Sequence, residues 1–179
     1  IQINMDTEKL LLTAIQAAIK AGEEILKVYS TDFTVEKKED HSPLTLADKK
    51  AHEAIEEILR DTKLPVLSEE GKDIPYNERK NWPLFWMVDP LDGTKEFVKR
   101  NGEFTVNIAL IEDQRSVLGV IYQPVTKVLY FAAQDMGAYK MDVPGTNFSG
   151  LATLIKSSKK LPQIDPQKKF TIVASRSHM

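Results

Sequence analysis

Apolar residues near the start of the chain recur at helical spacing: Leu11, Leu12, Ile15, Ala18, Ile19, Gly22, Ile25, Leu26 and Tyr29. That period predicts a long amphipathic helix burying one face. Ala47, Ala51, Ala54, Ile55, Ile58 and Leu59 repeat the pattern with smaller side chains, suited to close packing on the first helix or on a sheet. The pattern then changes. Residues 84–88 are apolar and uncharged, and 66–71 form another short stretch ending in acid, so both read as strands whose carboxyl ends carry carboxylates. Residues 104–111, 117–122, 128–133 and 138–141 follow, punctuated by Glu112-Asp113-Gln114, Pro124 and Asp135-Met136-Gly137. Such punctuation predicts a meander and a largely antiparallel sheet. Two helices followed by hairpin-linked strands define an α+β fold.

Residues 5–150 are expected to form this N-terminal domain. Residues 151–169 lie in a stretch rich in Gly, Pro, Ser and Lys and read as a connector, with 170–179 opening a second, truncated domain through a strand at 170–174.

Candidate chemistry is concentrated in Asp89-Pro90-Leu91-Asp92-Gly93-Thr94. Pro90 fixes its φ and donates no hydrogen bond, so the strand is expected to stop there and the Leu91 carbonyl to turn toward Asp89. Gly93 lets backbone approach a ligand, and Thr94 opens a short helix closed by Asn101-Gly102, which favours an anion at the Gly93 and Thr94 amides. A surface Pro-x-Asp-Gly turn is the plainer alternative. Glu69, at the end of the neighbouring strand, can point at the same spot as Asp89 and Asp92. At an effective dielectric of ~20, two carboxylates about 4 Å apart repel by roughly 4 kcal/mol, which a fold tolerates when a cation sits among them. Thr45-Leu46-Ala47-Asp48 opens the second helix; its bland reading is Thr45 as N-cap with Asp48 at the third helical position.

Glu69-Glu70, Asp89-Pro90-Leu91-Asp92-Gly93-Thr94 and Thr45-Leu46-Ala47-Asp48 together resemble the N-terminal half of the inositol monophosphatase superfamily of metal-dependent, lithium-sensitive phosphatases. Asp92-Gly93-Thr94-Lys95-Glu96-Phe97 and Arg100-Asn101-Gly102-Glu103-Phe104-Thr105-Val106-Asn107 are most similar to its bacterial 3′(2′),5′-bisphosphate nucleotidase branch. The resemblance implies a sugar-phosphatase-like layered sandwich and a Mg²⁺-dependent phosphomonoesterase that clears adenosine 3′,5′-bisphosphate, a by-product of sulfate activation, by converting it to AMP and phosphate. Inositol monophosphatase or sugar bisphosphatase activity is the alternative within the class, and a catalytically incompetent metal-binding fragment the alternative outside it. By resemblance, Glu69, Asp89, the Leu91 carbonyl and Asp92 hold two or three Mg²⁺ ions, and Li⁺ inhibits. Asp48, Thr94 and Glu69 would activate the attacking water, with Thr94 hydrogen-bonded to Asp48. Glu69, Leu91, Asp92, Gly93, Thr94 and Lys95 would line the substrate. The family's last metal-binding Asp follows a Trp, and this chain has no Trp-Asp pair, so the chain is expected to be incomplete as an enzyme.

Composition narrows the partners. With 179 residues, 42% of them hydrophobic, the chain can bury a real core, and a net charge of -2 argues against nonspecific nucleic-acid binding. Without cysteine there is no thiolate, and oxygen donors suit a hard cation. No apolar run approaches membrane-spanning length. A small phosphorylated substrate, with a homodimer mate or a complementary C-terminal half, is the expected company; the expected location is cytoplasmic, or peripheral on the cytoplasmic face of the inner membrane. His41, His52 and His178 lack metal-ligand spacing and read as surface histidines, while Trp82 and Trp86 read as packing. Lys156, Lys159, Lys160, Lys168 and Lys169 read as a solvated loop, and Lys95 and Lys99, one helical turn apart, could meet a second phosphate.

Overall fold

The computed structural model describes residues 7–31, 43–143 and 150–163. Helices α1 (Thr7–Tyr29) and α2 (Pro43–Leu59) lie side by side on one face of a sheet whose strands run in chain order: β1 (Val66–Ser68), β2 (Leu84–Asp92), β3 (Thr105–Glu112), β4 (Arg115–Gln123), β5 (Val128–Ala133), β6 (Gly137–Asp142) and β7 (Lys159–Leu161). Short helices α3 (Tyr76–Arg79), α4 (Thr94–Val98) and α5 (Leu151–Lys156) sit in the connections. The α+β reading and the antiparallel meander hold, with one parallel pair, β1 beside β2.

Alternation along the strands sends one set of side chains to the helices. Trp86, Val88, Val106, Ile108, Leu110, Leu118, Val120, Leu129 and Phe131 are buried, and they form one cluster with Leu11, Ile15, Ile25, Ala51 and Ile55. α1 buries more than a stripe because it touches both α2 and β3–β5. Gly22 marks the closest approach: a Cβ there would stand 2.5 Å from Tyr122 Cε1. Trp86 is fully buried and its indole N–H reaches Thr62 Oγ1 at 3.0 Å, which satisfies the one polar atom it takes into the core. Trp82 packs near Phe85, their ring centroids 5.7 Å apart.

Four details depart from expectation. β2 does not stop at Pro90 but runs on to Asp92, because a bulge absorbs the proline: Asp89 pairs with Asn107 and Asp92 with Thr105, leaving one extra residue on β2. α2 begins at Pro43, so Thr45 is inside the helix and is not its N-cap; proline's fixed φ and missing N–H suit the first helical position. α4 ends at Val98, and the left-handed residue after it is Arg100 (φ 56°), ahead of Asn101-Gly102. Finally, the connector is structured in part. Leu151 and Leu154 of α5 enter the core, and β7 pairs with β6, so Lys156, Lys159 and Lys160 sit on a helix end and an edge strand. The strand at 170–174, the second-domain start at 170–179, His41, His178, Lys168 and Lys169 lie outside the described residues.

Candidate metal centre

β1 and β2 are parallel neighbours, so their carboxyl ends emerge together. Ser68, Glu69, Glu70 and Gly71 form a turn closed by the Gly71 N–H on the Ser68 carbonyl at 3.1 Å, with both glutamates at its corners and exposed. The Glu69 N–H donates to the Val88 carbonyl at 3.1 Å and so carries the pairing of β1 with β2 one residue beyond the strand. On β2 the bulge decides the geometry. Residues three apart on a regular strand face opposite sides, whereas the extra residue turns both Pro90 and Leu91 (1% exposed) inward and leaves Asp92 outside the core with Asp89. Asn107, across from Asp89 on β3, donates from Nδ2 to Asp92 Oδ2 at 3.2 Å, and Thr105 Oγ1 donates to Asn107 Oδ1 at 3.1 Å.

Asp48 lies on α2, 6% exposed and the one buried charged residue among those described. Burial, then the charges of Glu70, Asp89 and Glu69, push its carboxyl up to about 7. The Asp89 carboxyl rises to about 6, through burial first and then Glu69 and Asp92; the Leu91 N–H on it pulls the other way. Asp89 Oδ1 is buried without a hydrogen-bond partner. No lysine or arginine makes an ion pair with any of these carboxylates among the described residues.

An orphaned buried oxygen on Asp89, whose proton affinity is raised by burial and by Glu69 and Asp92, fits an added positive charge, and an all-oxygen donor set fits a hard divalent ion such as Mg²⁺. The carboxylates are gathered rather than closed: among the described residues, no three acidic or histidine groups stand at metal-holding distance. The Leu91 side chain is core, so its part in any ion site falls to backbone.

α4 follows directly. Gly93 takes φ 93°, a conformation a side chain would strain, and a Cβ there would also stand 3.0 Å from the Glu103 carbonyl. Behind the helix, Phe97, Phe104 and Tyr29 pack with ring centroids 5.1–5.4 Å apart. The Arg100 guanidinium donates to the Tyr29 carbonyl at 3.0 Å and to the Thr31 carbonyl, tying α4 to the end of α1. Lys95 and Lys99 are exposed, Lys99 as the residue capping the helix. α2 and α4 touch, yet no hydrogen bond joins Thr94 to Asp48 among the described residues, contrary to the contact expected. A concavity of about 1200 Å³ lies elsewhere, lined by Thr13, Gln16, Glu57 and Arg60 among others, so charge rather than depth marks this site.

Sequence reasoning gave no role to Glu70, Asn107 or His52. Glu70 is the first charge acting on Asp48 after burial, and Asn107 holds Asp92. His52, expected on the surface, is 13% exposed and bonded to Ser68. Its i, i+4 spacing from Asp48 was the available signal.

The profile of the Inositol monophosphatase family matches residues 6–176. The chain belongs to that family. Among curated relatives, the 3′(2′),5′-bisphosphate nucleotidase CysQ of Salmonella typhimurium is 54% identical over 123 residues, 66% of this chain and 50% of that protein. The protein of the same name from Shigella flexneri is 44% identical over 168 residues, 91% of this chain and 62% of its own length. The crystal structure of CysQ from Bacteroides thetaiotaomicron, 50% identical, superposes with a TM-score of 0.90 over 98% of this chain and 66% of that one. The chain thus spans half to about two thirds of the relatives it matches. No described helix is long and apolar enough to cross a membrane.

Proposed function

We propose that the protein to which this chain belongs is a Mg²⁺-dependent phosphomonoesterase acting on a 3′,5′-bisphosphate nucleotide, releasing AMP and phosphate from adenosine 3′,5′-bisphosphate. The observation that carries this reading is the buried, unpartnered Asp89 Oδ1 among carboxylates that no lysine or arginine pairs with among the described residues. The nucleotide, rather than another phosphate ester, is supported by the names and identities of the relatives.

Glu69, Asp89 and the Leu91 carbonyl would hold one ion, and Asp89 with Asp92 a second. When bound, such a pair supplies a lowered water pKa for attack and charge stabilisation of the leaving ester oxygen in an in-line displacement. Asp89 would be shared by both ions, since Glu69 and Asp92 are the two charges that act on it most. Asn107 orients Asp92 by its amide, which leaves the other carboxylate oxygen available. Asp48, with its carboxyl lifted to about 7, can take a proton near neutrality, the property wanted of a general base. It would act on water directly or through the Thr94 hydroxyl once that contact forms. The left-handed Gly93, and Thr94 at the start of α4, would present backbone amides to a phosphate, and exposed Lys95 can meet the second phosphate. The cytoplasmic setting belongs to the same reading.

Phosphate release should be measured from adenosine 3′,5′-bisphosphate, inositol 1-phosphate and fructose 1,6-bisphosphate, for this chain and for a form extended to the length of its relatives. The nucleotide should be preferred, Mg²⁺ required and Li⁺ inhibitory. Preference for inositol 1-phosphate would overturn the substrate, and metal-independent turnover the mechanism.

A further inference from the structure

The turn bearing Glu69 and Glu70 is fastened from outside the sheet. His52 sits on α2 one helical turn beyond Asp48, on the same face of the helix. Its Nδ1 is 2.9 Å from the Ser68 hydroxyl oxygen, and its Nε2 faces Glu56 Oε1 at 3.5 Å. A carboxylate beside Nε2 favours the ring proton there, which leaves Nδ1 to accept the hydrogen bond that the Ser68 hydroxyl donates. Ser68 is the last residue of β1 and the first of the glutamate turn, and its carbonyl accepts the turn-closing Gly71 N–H at 3.1 Å. The packing is tight: a Cβ on Gly71 would lie 3.2 Å from the Ser68 carbonyl and 3.7 Å from His52 Cε1.

The geometry points to His52 and Ser68 as positioning residues that hold the Glu69–Glu70 turn at the distance from β2 and α2 at which its carboxylates serve the metal centre. This inference rests on the metal-phosphatase reading above. Among the described residues, Glu69 is otherwise tied to β2 by its backbone bond to Val88 and a side-chain contact with Asp89, and both glutamates are exposed. The tether joins the turn to α2 one helical turn from Asp48. A Ser-His-acid relay of this sort also resembles a nucleophilic triad. Here, however, the hydroxyl is spent on a ring in the cleft between α2 and β1, and a tether needs no oxyanion-binding group.

Mg²⁺ alone is the probe. Its concentration for half-maximal thermal stabilisation should be measured by calorimetry for the wild type, Glu69→Gln, Ser68→Ala, His52→Leu, the double variant Ser68→Ala/His52→Leu, and His52→Asn. Supporting groups around metal ligands are commonly worth 10–100-fold in affinity, and one acting through a turn belongs at the low end, so Ser68→Ala and His52→Leu should each raise the half-saturating Mg²⁺ about tenfold. The double variant should be no worse than either single one, since both cut the same link. His52→Asn should recover most of the loss, because its amide oxygen can accept where Nδ1 did. Wild-type Mg²⁺ affinity in Ser68→Ala and His52→Leu, with Glu69→Gln weakened, would overturn the tether alone. Unchanged affinity in Glu69→Gln would overturn the metal reading and the tether with it.

Discussion

Asp89→Asn should make the metal-free protein more stable while disabling it. The wild-type carboxyl has a pKa of about 6 in the folded chain, against about 3.9 for an unperturbed Asp. The folded state therefore holds the proton more tightly than the unfolded state between about pH 4 and 6, and stability falls as pH rises through that window. Two units correspond to about 3 kcal/mol above pH 6; the site is partly open to solvent, so screening reduces this to about 1.5 kcal/mol. The amide of the variant carries no charge at any pH. In a chain of this size that difference is worth about 3–6 °C in Tm. Calorimetry in EDTA should thus find Asp89→Asn above the wild type at pH 8 and level with it at pH 4. Added Mg²⁺ should reverse the order at pH 8, since only the wild type offers a bridging charge, and turnover should fall about a hundredfold to a thousandfold. A variant less stable than wild type in EDTA at pH 8, or one with an equal Mg²⁺-induced gain in Tm, would refute the argument.

Asp48→Asn should leave Tm unchanged or slightly raised at pH 8, because a group whose pKa is lifted to about 7 by burial destabilises the fold once it ionises, while turnover drops about a hundredfold; parallel losses in both would return Asp48 to a structural role. Gly22→Ala should lose about 1–3 kcal/mol in urea unfolding despite better helix propensity, since its Cβ would meet the buried Tyr122 ring at 2.5 Å; an unchanged midpoint would show that α1 and β4 are not so close. Lys95→Ala should cut kcat/KM on adenosine 3′,5′-bisphosphate about tenfold more than on AMP analogues carrying one phosphate, and equal losses would remove it from substrate choice.

The architecture was legible where one local signal decided it. Helical spacing located α1, and the strand at 128–133 was bounded as observed because turn residues flank it on both sides. The misses in the strands share a cause, in that tertiary pairing overrode a local rule. Pro90 should end a strand, yet β3 supplies partners on the far side of a bulge. The stretch after residue 150 reads as polar linker because Leu151 and Leu154 are too few to show a period, and β7 is an edge strand of three residues. In the site, the motif carboxylates were visible as residue types. Glu70, Asn107 and His52 were not, because each acts on a neighbour distant in sequence: Asp48, Asp92 and Ser68, respectively.

The placement of the charge follows from the single break in the meander. Had β1 joined β2 through a hairpin, its acidic end would lie at the opposite edge from Asp89; the parallel pairing puts both carboxyl ends at one edge, where antiparallel β3 begins with Thr105 and Asn107. The bulge then supplies the second condition by leaving Asp92 outside the core with Asp89, since a regular strand would send it toward the helices. Asp48 completes the group from above, on the helix that covers β2. Among the described residues, what is left unsatisfied is charge, concentrated on Asp89 and Asp48. That residual repulsion is the quantity a bound cation would relieve, and it makes ion binding and stability above about pH 6 two measurements of one interaction.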